Sequence, residues 1–356
     1  MDIGIDSFAA TVTDPTTGQT LSGADRLNHL IEEIERADAA GLDTFGIGEH
    51  HRREYLDAAP AVILAAAAAR TTRIRLNSAV TVLSADDPVR VFQQYATLDL
   101  LSRGRAEMIV GRGSFAEAYP LFGLDLHHYD VLFAEKLDLL LKLRADTHVH
   151  WQGTFRAPLT GQGVYPRPQQ AQLPIWIGVG GTPASFARAG TLGLPLMVAI
   201  IGGDFRRFRP LVDLYRQAGA AAGHPAQTLR VGVHAFGFVA PTAQAARDAF
   251  YPGYARMLDT IGRERGWAPP SRARFDAECG PAGAYLIGGV QDVADKVLHL
   301  NAVLGGVDRL TFQMTNVLMP HGRMLRAIDL LGQEVAPLVR ARLAQNHAAG
   351  VQPPFA

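Results

Sequence analysis

The chain has 356 residues, room for one large barrel or two ordinary domains, and 48% are hydrophobic, enough for a full core. Lys plus Arg and Asp plus Glu both number 34, giving net charge zero; with no basic run, this excludes an electrostatic footprint for nucleic acid or an anionic membrane. Cys279 is the single cysteine, so no intrachain disulfide can form and a reducing, cytoplasmic setting is expected.

Met1-Asp2-Ile3-Gly4 lacks a basic region, so no signal peptide is expected. The longest uncharged apolar run, near Ala58 to Ala69, is too short to cross a bilayer. Ile3 to Phe8 reads as the first strand. Ser22 with Asp25 resembles a capping box, and Leu27, Leu30, Ile31 and Ile34 give the next helix its apolar face, closed by Gly41. Phe45 to Gly48 reads as strand two, with Glu49-His50-His51 at its carboxyl end. Pro60 to Ala69 is an alanine-rich helix. Ile74 to Val82 is apolar enough for a strand buried on both faces. Asp87-Pro88 starts a helix that Gly104 stops, because glycine adopts the left-handed conformation at no cost. Ala106 to Val110 is a fourth strand, running into Gly111-Arg112-Gly113-Ser114.

Phe133, Leu137, Leu140 and Leu141 mark another helix. Residues 145 to 173 break the rhythm and read as a long insertion at a barrel mouth, shaping a pocket together with residues 114 to 130. Strands follow at Pro174 to Ile177, Leu194 to Ile201, Leu229 to Val239 and Val307 to Gln313, with a Gly/Pro-rich stretch from Gly266 to Gly283 and a last helix from about Met324 to Leu343. Eight strand–helix units without a break in composition predict an α/β fold: one (β/α)8 TIM barrel over residues 1–345, with insertion loops at its C-terminal mouth and a loose tail over 346–356.

The chemistry of such folds sits at the carboxyl ends of the strands. Gly178-Val179-Gly180-Gly181-Thr182-Pro183 follows a strand and opens a helix, so its backbone N–H groups can hold a phosphate; an ordinary βα loop is the other reading. Arg112, between two glycines, either grips that phosphate or pairs across the rim. Gly288-Gly289 lacks a nearby cation and reads as a turn into a helix at Asp292. His50 is either a proton-transfer group or a buried, hydrogen-bonded histidine. Zinc is disfavoured, because adjacent histidines on a strand point to opposite faces. Asp130 reads as a cap or first-turn acid.

The residues Glu49-His50-His51, Ser78-Ala79-Val80, Asp87-Pro88-Val89-Arg90, Ser102-Arg103-Gly104-Arg105 to Gly113, Pro174 to Gly178 and Leu286 to Gly289 occur in an order and spacing that resembles the luciferase-like flavin-dependent monooxygenase family. The resemblance covers most of the chain. It implies reduced FMN as cofactor, O2 and a small organic molecule as substrates, and a homodimer; no GxGxxG fingerprint follows a strand, so the reduced flavin is expected to depend on a separate flavin reductase or on loosely docked NAD(P)H. Ser78, Ala79, Val80, Arg112, Gly113, Ser114, Gly180, Gly181 and Thr182 are then the expected cofactor contacts. A non-proline cis bond is implied at Ala79–Val80, and His50 is placed beside the flavin ring. Phe8, His51 and Tyr119 are expected to face substrate, and no metal is expected. Some members carry a reactive cysteine where this chain has Gly111, which is expected to enlarge the space near the ring. A deazaflavin (F420)-dependent reductase and a non-catalytic flavin-binding protein share the fold and stay open as alternatives.

Overall fold

Apolar strands can be buried on both faces only in a sheet that helices cover. Here that sheet closes on itself. The structure, a computed structural model, describes residues 1–113 and 115–348. Strands β1 (Asp2–Ser7), β2 (Thr44–Ile47), β3 (Arg75–Ser78) with its short continuation β4 (Thr81–Val82), and β5 (Ala106–Gly111) form the first half of the barrel. A separate antiparallel pair, β6 (His148–Trp151) and β7 (Leu159–Gly163), precedes β8 (Ile175–Val179), β9 (Leu196–Ala199), β10 (Val231–Val239), β11 (Leu286–Gly288) and β12 (Arg309–Gln313). The neighbours run β1-β2-β3-β5-β8-β9-β10-β12 and back to β1, all parallel. The expected (β/α)8 barrel is therefore present.

Helices α1 (Gly23–Ala39), α2 (Pro60–Ala68), α3 (Pro88–Ser102), α4 (Ala118–Leu121), α5 (Tyr129–Ala145), α6 (Pro183–Thr191), α7 (Arg209–Ala221), α8 (Ala243–Arg265), α9 (Arg272–Cys279), α10 (Val290–Val303), α11 (His321–Leu330) and α12 (Ala336–Ala348) connect and surround the strands. Ser22 and Asp87 cap α1 and α3 by accepting backbone N–H groups. At the end of α3 the left-handed turn begins one residue earlier than expected, at Arg103 (φ 57°), and continues through Gly104 (φ 84°). Gly289 leads into α10 as a turn, with the Asp292 carboxylate accepting its N–H at 3.1 Å. The terminal helix runs past residue 345 to Ala348, so the expected tail boundary falls inside a helix; residues 349–356 lie outside the described residues.

Two expectations change. Strand three is not continuous from Ile74 to Val82: it breaks between Ser78 and Thr81, where the Ala79–Val80 bond is cis. Residues 145–173 are not a mouth insertion. They connect a helix to the next strand, and so depart from the opposite end of the barrel. They fold as the β6–β7 hairpin outside α3 and α5, pinned where Arg167 donates to the Leu143 carbonyl at 2.8 Å. Only the hairpin tip climbs back to the rim, where Arg156 meets Asp87 at 2.7 Å.

The amino-terminal end of the barrel is plugged. Arg309, 1% exposed, pairs with Glu107 and lies 3.1 Å from Asp2, and its guanidinium stacks 4.5 Å over the Trp176 ring. Ile109, Trp176 and Met197 fill the next layer. The lumen opens only beyond them, towards the carboxyl ends of the strands.

Candidate active site

A cavity of about 740 Å³ occupies that carboxyl end. The size suits a bound organic cofactor with a small substrate. Each barrel strand that reaches it contributes the residues at its end, so the site is assembled from distant parts of the chain.

His50 enters from the loop after β2 and lines the cavity. Its Nδ1 lies 2.8 Å from Oδ2 of Asp57, which is 0% exposed. Gly48 makes this arrangement possible: a Cβ there would fall 2.8 Å from Asp57 Oδ2 and 2.9 Å from His50 Cε1. Burial pushes the Asp57 carboxyl up, and the hydrogen bond from His50 pulls the other way. With Asp57 ionised, Nδ1 carries the proton and Nε2 is the nitrogen left for chemistry, an assignment made from the hydrogen-bond network.

Glu49 also lines the cavity, with both carboxylate oxygens engaged. Its Oε2 accepts the Val82 N–H at 2.9 Å and its Oε1 holds His51 Nε2 at 3.2 Å. The Glu49 hydrogen bond pushes the His51 imidazole above its ordinary value. His51 stacks edge-on with Phe122 and does not line the cavity. Tyr119 also leaves the expected substrate wall: it is buried, and its hydroxyl donates to the Arg112 carbonyl at 3.0 Å. Phe8 does line the cavity, its ring centroid 4.6 Å from that of His50.

The expected cofactor residues divide in the same way. Ala79, Val80, Arg112, Gly113 and Gly180 line the cavity. Ser78 does not; its hydroxyl donates to the Ile109 carbonyl at 2.9 Å and stitches β3 to β5. Gly181 and Thr182 sit exposed just outside the lining, at the start of α6. Ser114 lies outside the described residues. Gly111 does not enlarge the ring space as expected, because Val80 fills it: a Cβ at Gly111 would lie 2.9 Å from Val80, and one at Gly178 2.7 Å. The two glycines let Val80 form a shelf across β5 and β8.

Arg112 stands at the rim over the Tyr129 ring, at 4.7 Å. Its Nη1 is 3.8 Å from Asp130 Oδ1, and Arg188 of α6 reaches the same oxygen at 3.6 Å. Asp130 belongs to the first turn of α5. One exposed carboxylate thus sits between two guanidiniums, one of them from Arg112, which lines the cavity together with Gly180, and a phosphate can compete with it for them.

Sequence reasoning missed a second histidine–aspartate pair. His234, in the middle of apolar β10, lines the cavity, with Nδ1 2.7 Å from Asp6 Oδ2 on β1. A histidine in an otherwise apolar strand was the available signal. It also missed the far wall. The Gly/Pro-rich stretch after α8 folds back as α9, placing Arg274, Phe275 and Glu278 on the cavity beside the Tyr254–Tyr285 hydroxyl pair (2.7 Å). This wall, with Phe115, shapes the pocket in place of residues 145–173, none of which line it. Arg52 fastens the mouth. It pairs with Glu117 on the β5 side and with Glu264 of α8 at 2.6 Å, and its guanidinium lies 4.9 Å over Phe115. Among the described residues, no cluster of His, Cys, Asp or Glu could hold a metal ion, and no helix is long and apolar enough to cross a membrane.

The open end of the barrel thus combines an apolar shelf, a buried His–Asp pair and a cationic rim around a cavity of small-molecule size. The family model for luciferase-like monooxygenases matches residues 1–308, and the chain belongs to that family. It is 27% identical over 328 residues to 4-hydroxyprotoasukamycin monooxygenase of Streptomyces nodosus subsp. asukaensis, covering 86% of this chain and 85% of that one. Among solved structures it resembles the monooxygenase RslO1 of Streptomyces bottropensis, at a TM-score of 0.81 and 24% identity over 95% of this chain and 99% of that one. The oxygenating constituent of 3,6-diketocamphane monooxygenase from Pseudomonas putida, in complex with FMN, gives 0.75 and 19% over 95% and 98%. An F420-dependent secondary alcohol dehydrogenase shares the fold too, at 0.72 and 18% over 95% and 99%.

Proposed function

We propose that the protein is a flavin-dependent monooxygenase that takes reduced FMN from a separate reductase and uses O2 to oxidise a small organic substrate. The observation that carries this reading is the placement of His50–Asp57 in the same cavity as the Val80 shelf and the Arg112 rim. The residues fit the cofactor: Ala79, Val80, Ile109 and Met197 offer an apolar face for a flat ring, and Arg112 with Gly180 offers an anion site at the edge. Reduced flavin supplies the two electrons that, with O2, put one oxygen atom into substrate and release the other as water.

The protein's own tasks are then few. Arg112, Arg188 and the start of α6 hold the phosphate. His50 Nε2 donates or takes a proton at the reacting edge, with Asp57 fixing its tautomer and its angle. The α8–α9 wall, fastened by Arg52, keeps water out. Homodimer formation through α2 and α3, and a cytoplasmic setting, belong to the same proposal. Val62 of α2 and Leu100 and Leu101 of α3 are exposed apolar residues of these helices.

Titration of the purified protein with FMN, followed by O2 consumption with a flavin reductase and NADH, tests the reading. FMN binding with substrate-dependent O2 uptake is expected. Tight binding of F420 with no FMN binding would replace it with the deazaflavin reading. FMN binding without turnover of any supplied substrate would favour a carrier.

A further inference from the structure

The wall of the cavity opposite the flavin shelf contains a polar group that nothing in the protein satisfies. Gln313 of β12 stands across the barrel from β5, and Asp6 of β1 pairs with it in register. Both are 1% exposed and both line the cavity. The amide oxygen and amide nitrogen of Gln313 have no hydrogen-bond partner, and neither does Asp6 Oδ1. Buried polar atoms are nearly always paired, so three orphans on one wall of a cavity mark a place for a polar partner, a ligand or an ordered water that a ligand can replace. His234 lines the cavity beside them, its Nδ1 engaged by Asp6 Oδ2.

We propose that Gln313, with Asp6 and His234, recognises an amide-type edge, an N–H beside a C=O, as found in a lactam, a carboxamide or an imide. Gln313 presents an acceptor and a donor side by side, which is the complement of such an edge. Asp6 Oδ1 adds a second acceptor. Its carboxylate repels anions, so a carboxylate or phosphate head is excluded from this wall. The edge can come from the substrate or from the pyrimidine ring of the flavin. Only the flavin source rests on the function proposed above.

The test uses δ-valerolactam as probe, followed by ligand-observed NMR, and FMN, followed by fluorescence quenching. The variant is Gln313→Met, which keeps length and volume and removes both amide atoms. Because that amide makes no bond within the protein, the melting temperature is expected to stay level or rise. Lactam binding should weaken about tenfold, the loss of one to two hydrogen bonds. If the substrate supplies the edge, the lactam binds alongside FMN, and FMN affinity stays within about twofold in the variant. If the flavin supplies it, FMN displaces the lactam and Gln313→Met weakens FMN about tenfold. Gln313→Leu, which also removes both amide atoms, should weaken the lactam in the same way. Failure of the parent protein to bind FMN, with the lactam effect intact, overturns the flavin reading and leaves this one standing. Two results overturn this one: lactam and FMN affinities both unchanged in the variants, or a sharp fall in melting temperature that shows the amide to be paired internally.

Discussion

His50 Nδ1 sits 2.8 Å from Oδ2 of Asp57, a carboxylate with no exposure to solvent. That contact fixes one ring nitrogen and leaves the other for the cavity. Flavin affinity is expected mostly from ring stacking and phosphate, neither of which His50 supplies. His50→Ala should therefore leave the FMN dissociation constant within a few fold and slow product formation about 10²-fold or more. His50→Gln should recover part of the rate if hydrogen bonding alone matters. Stopped-flow absorbance after mixing reduced enzyme with O2 separates the two cases; a parent-like rate in His50→Ala would make the pair purely structural.

At the rim, Asp130 competes for the two arginines that an incoming phosphate would use. Arg112→Ala should weaken FMN by about 1.5–3 kcal/mol, the value of a lost charged hydrogen bond. Asp130→Asn should act in the opposite sense, tightening FMN by about 0.2–1 kcal/mol, because it removes an exposed ion pair and a like charge. Titration of both variants at one ionic strength checks the signs. Equal affinities would place the phosphate away from Arg112.

Barrel strands and caps were legible because they depend on local pattern. The β-branched runs, Asp87 before Pro88 and Ser22 before Asp25 each specify their own surroundings. His50 was legible for the same reason, since it follows a strand. What escaped was long-range. Asp57 lies seven residues on, yet only the fold turns it under His50. Asp6 and His234 are 228 residues apart and meet because β1 and β10 flank β12. Nothing local in the Gly266–Gly283 stretch shows that it returns over the mouth. The reverse error has the same origin: residues 145–173 look like a functional loop, but the connection is of the helix-to-strand kind, which starts at the plugged end. Tyr119 and His51 had suitable chemistry and lost their expected place to neighbours, the Arg112 carbonyl and Glu49, that sequence spacing does not reveal.

Arg52 bridges Glu117 and Glu264 at the mouth. The segment it fastens contains Arg112, a trypsin site. Arg52→Ala should raise cleavage after Arg112 about fivefold, the effect of about 1 kcal/mol on local opening. Mass spectrometry of a timed digest gives the rate. The same variant should raise substrate-independent O2 consumption, because water then reaches the site. An unchanged digestion rate would mean that Phe115 packing alone holds the segment.

The plug beneath the site gives the fold one acid-sensitive contact. Burial raises the Glu107 carboxyl, but Arg309 and Arg75 outweigh it and hold the group below its ordinary value of 4.5. The unfolded chain therefore binds a proton here at a higher pH than the folded one. By linkage, stability from Glu107 is fully present above about pH 5 and is lost as pH falls through the lower folded value. Glu107→Gln removes this dependence and also strands Arg309, which is 1% exposed, with only Asp2 as a carboxylate partner. Removing one member of a buried pair costs about 3–5 kcal/mol. Chemical denaturation at pH 7 and at pH 4 should show the parent losing stability at the lower pH. The variant should be weaker at pH 7 by about that amount and show a flatter profile between the two. Asp2 and other carboxylates contribute to the slope in both proteins, so the informative quantity is the difference between parent and variant. A difference that does not shrink as pH falls would show that Glu107 stays neutral in the folded protein and that Arg309 is held by Asp2 and Trp176 alone.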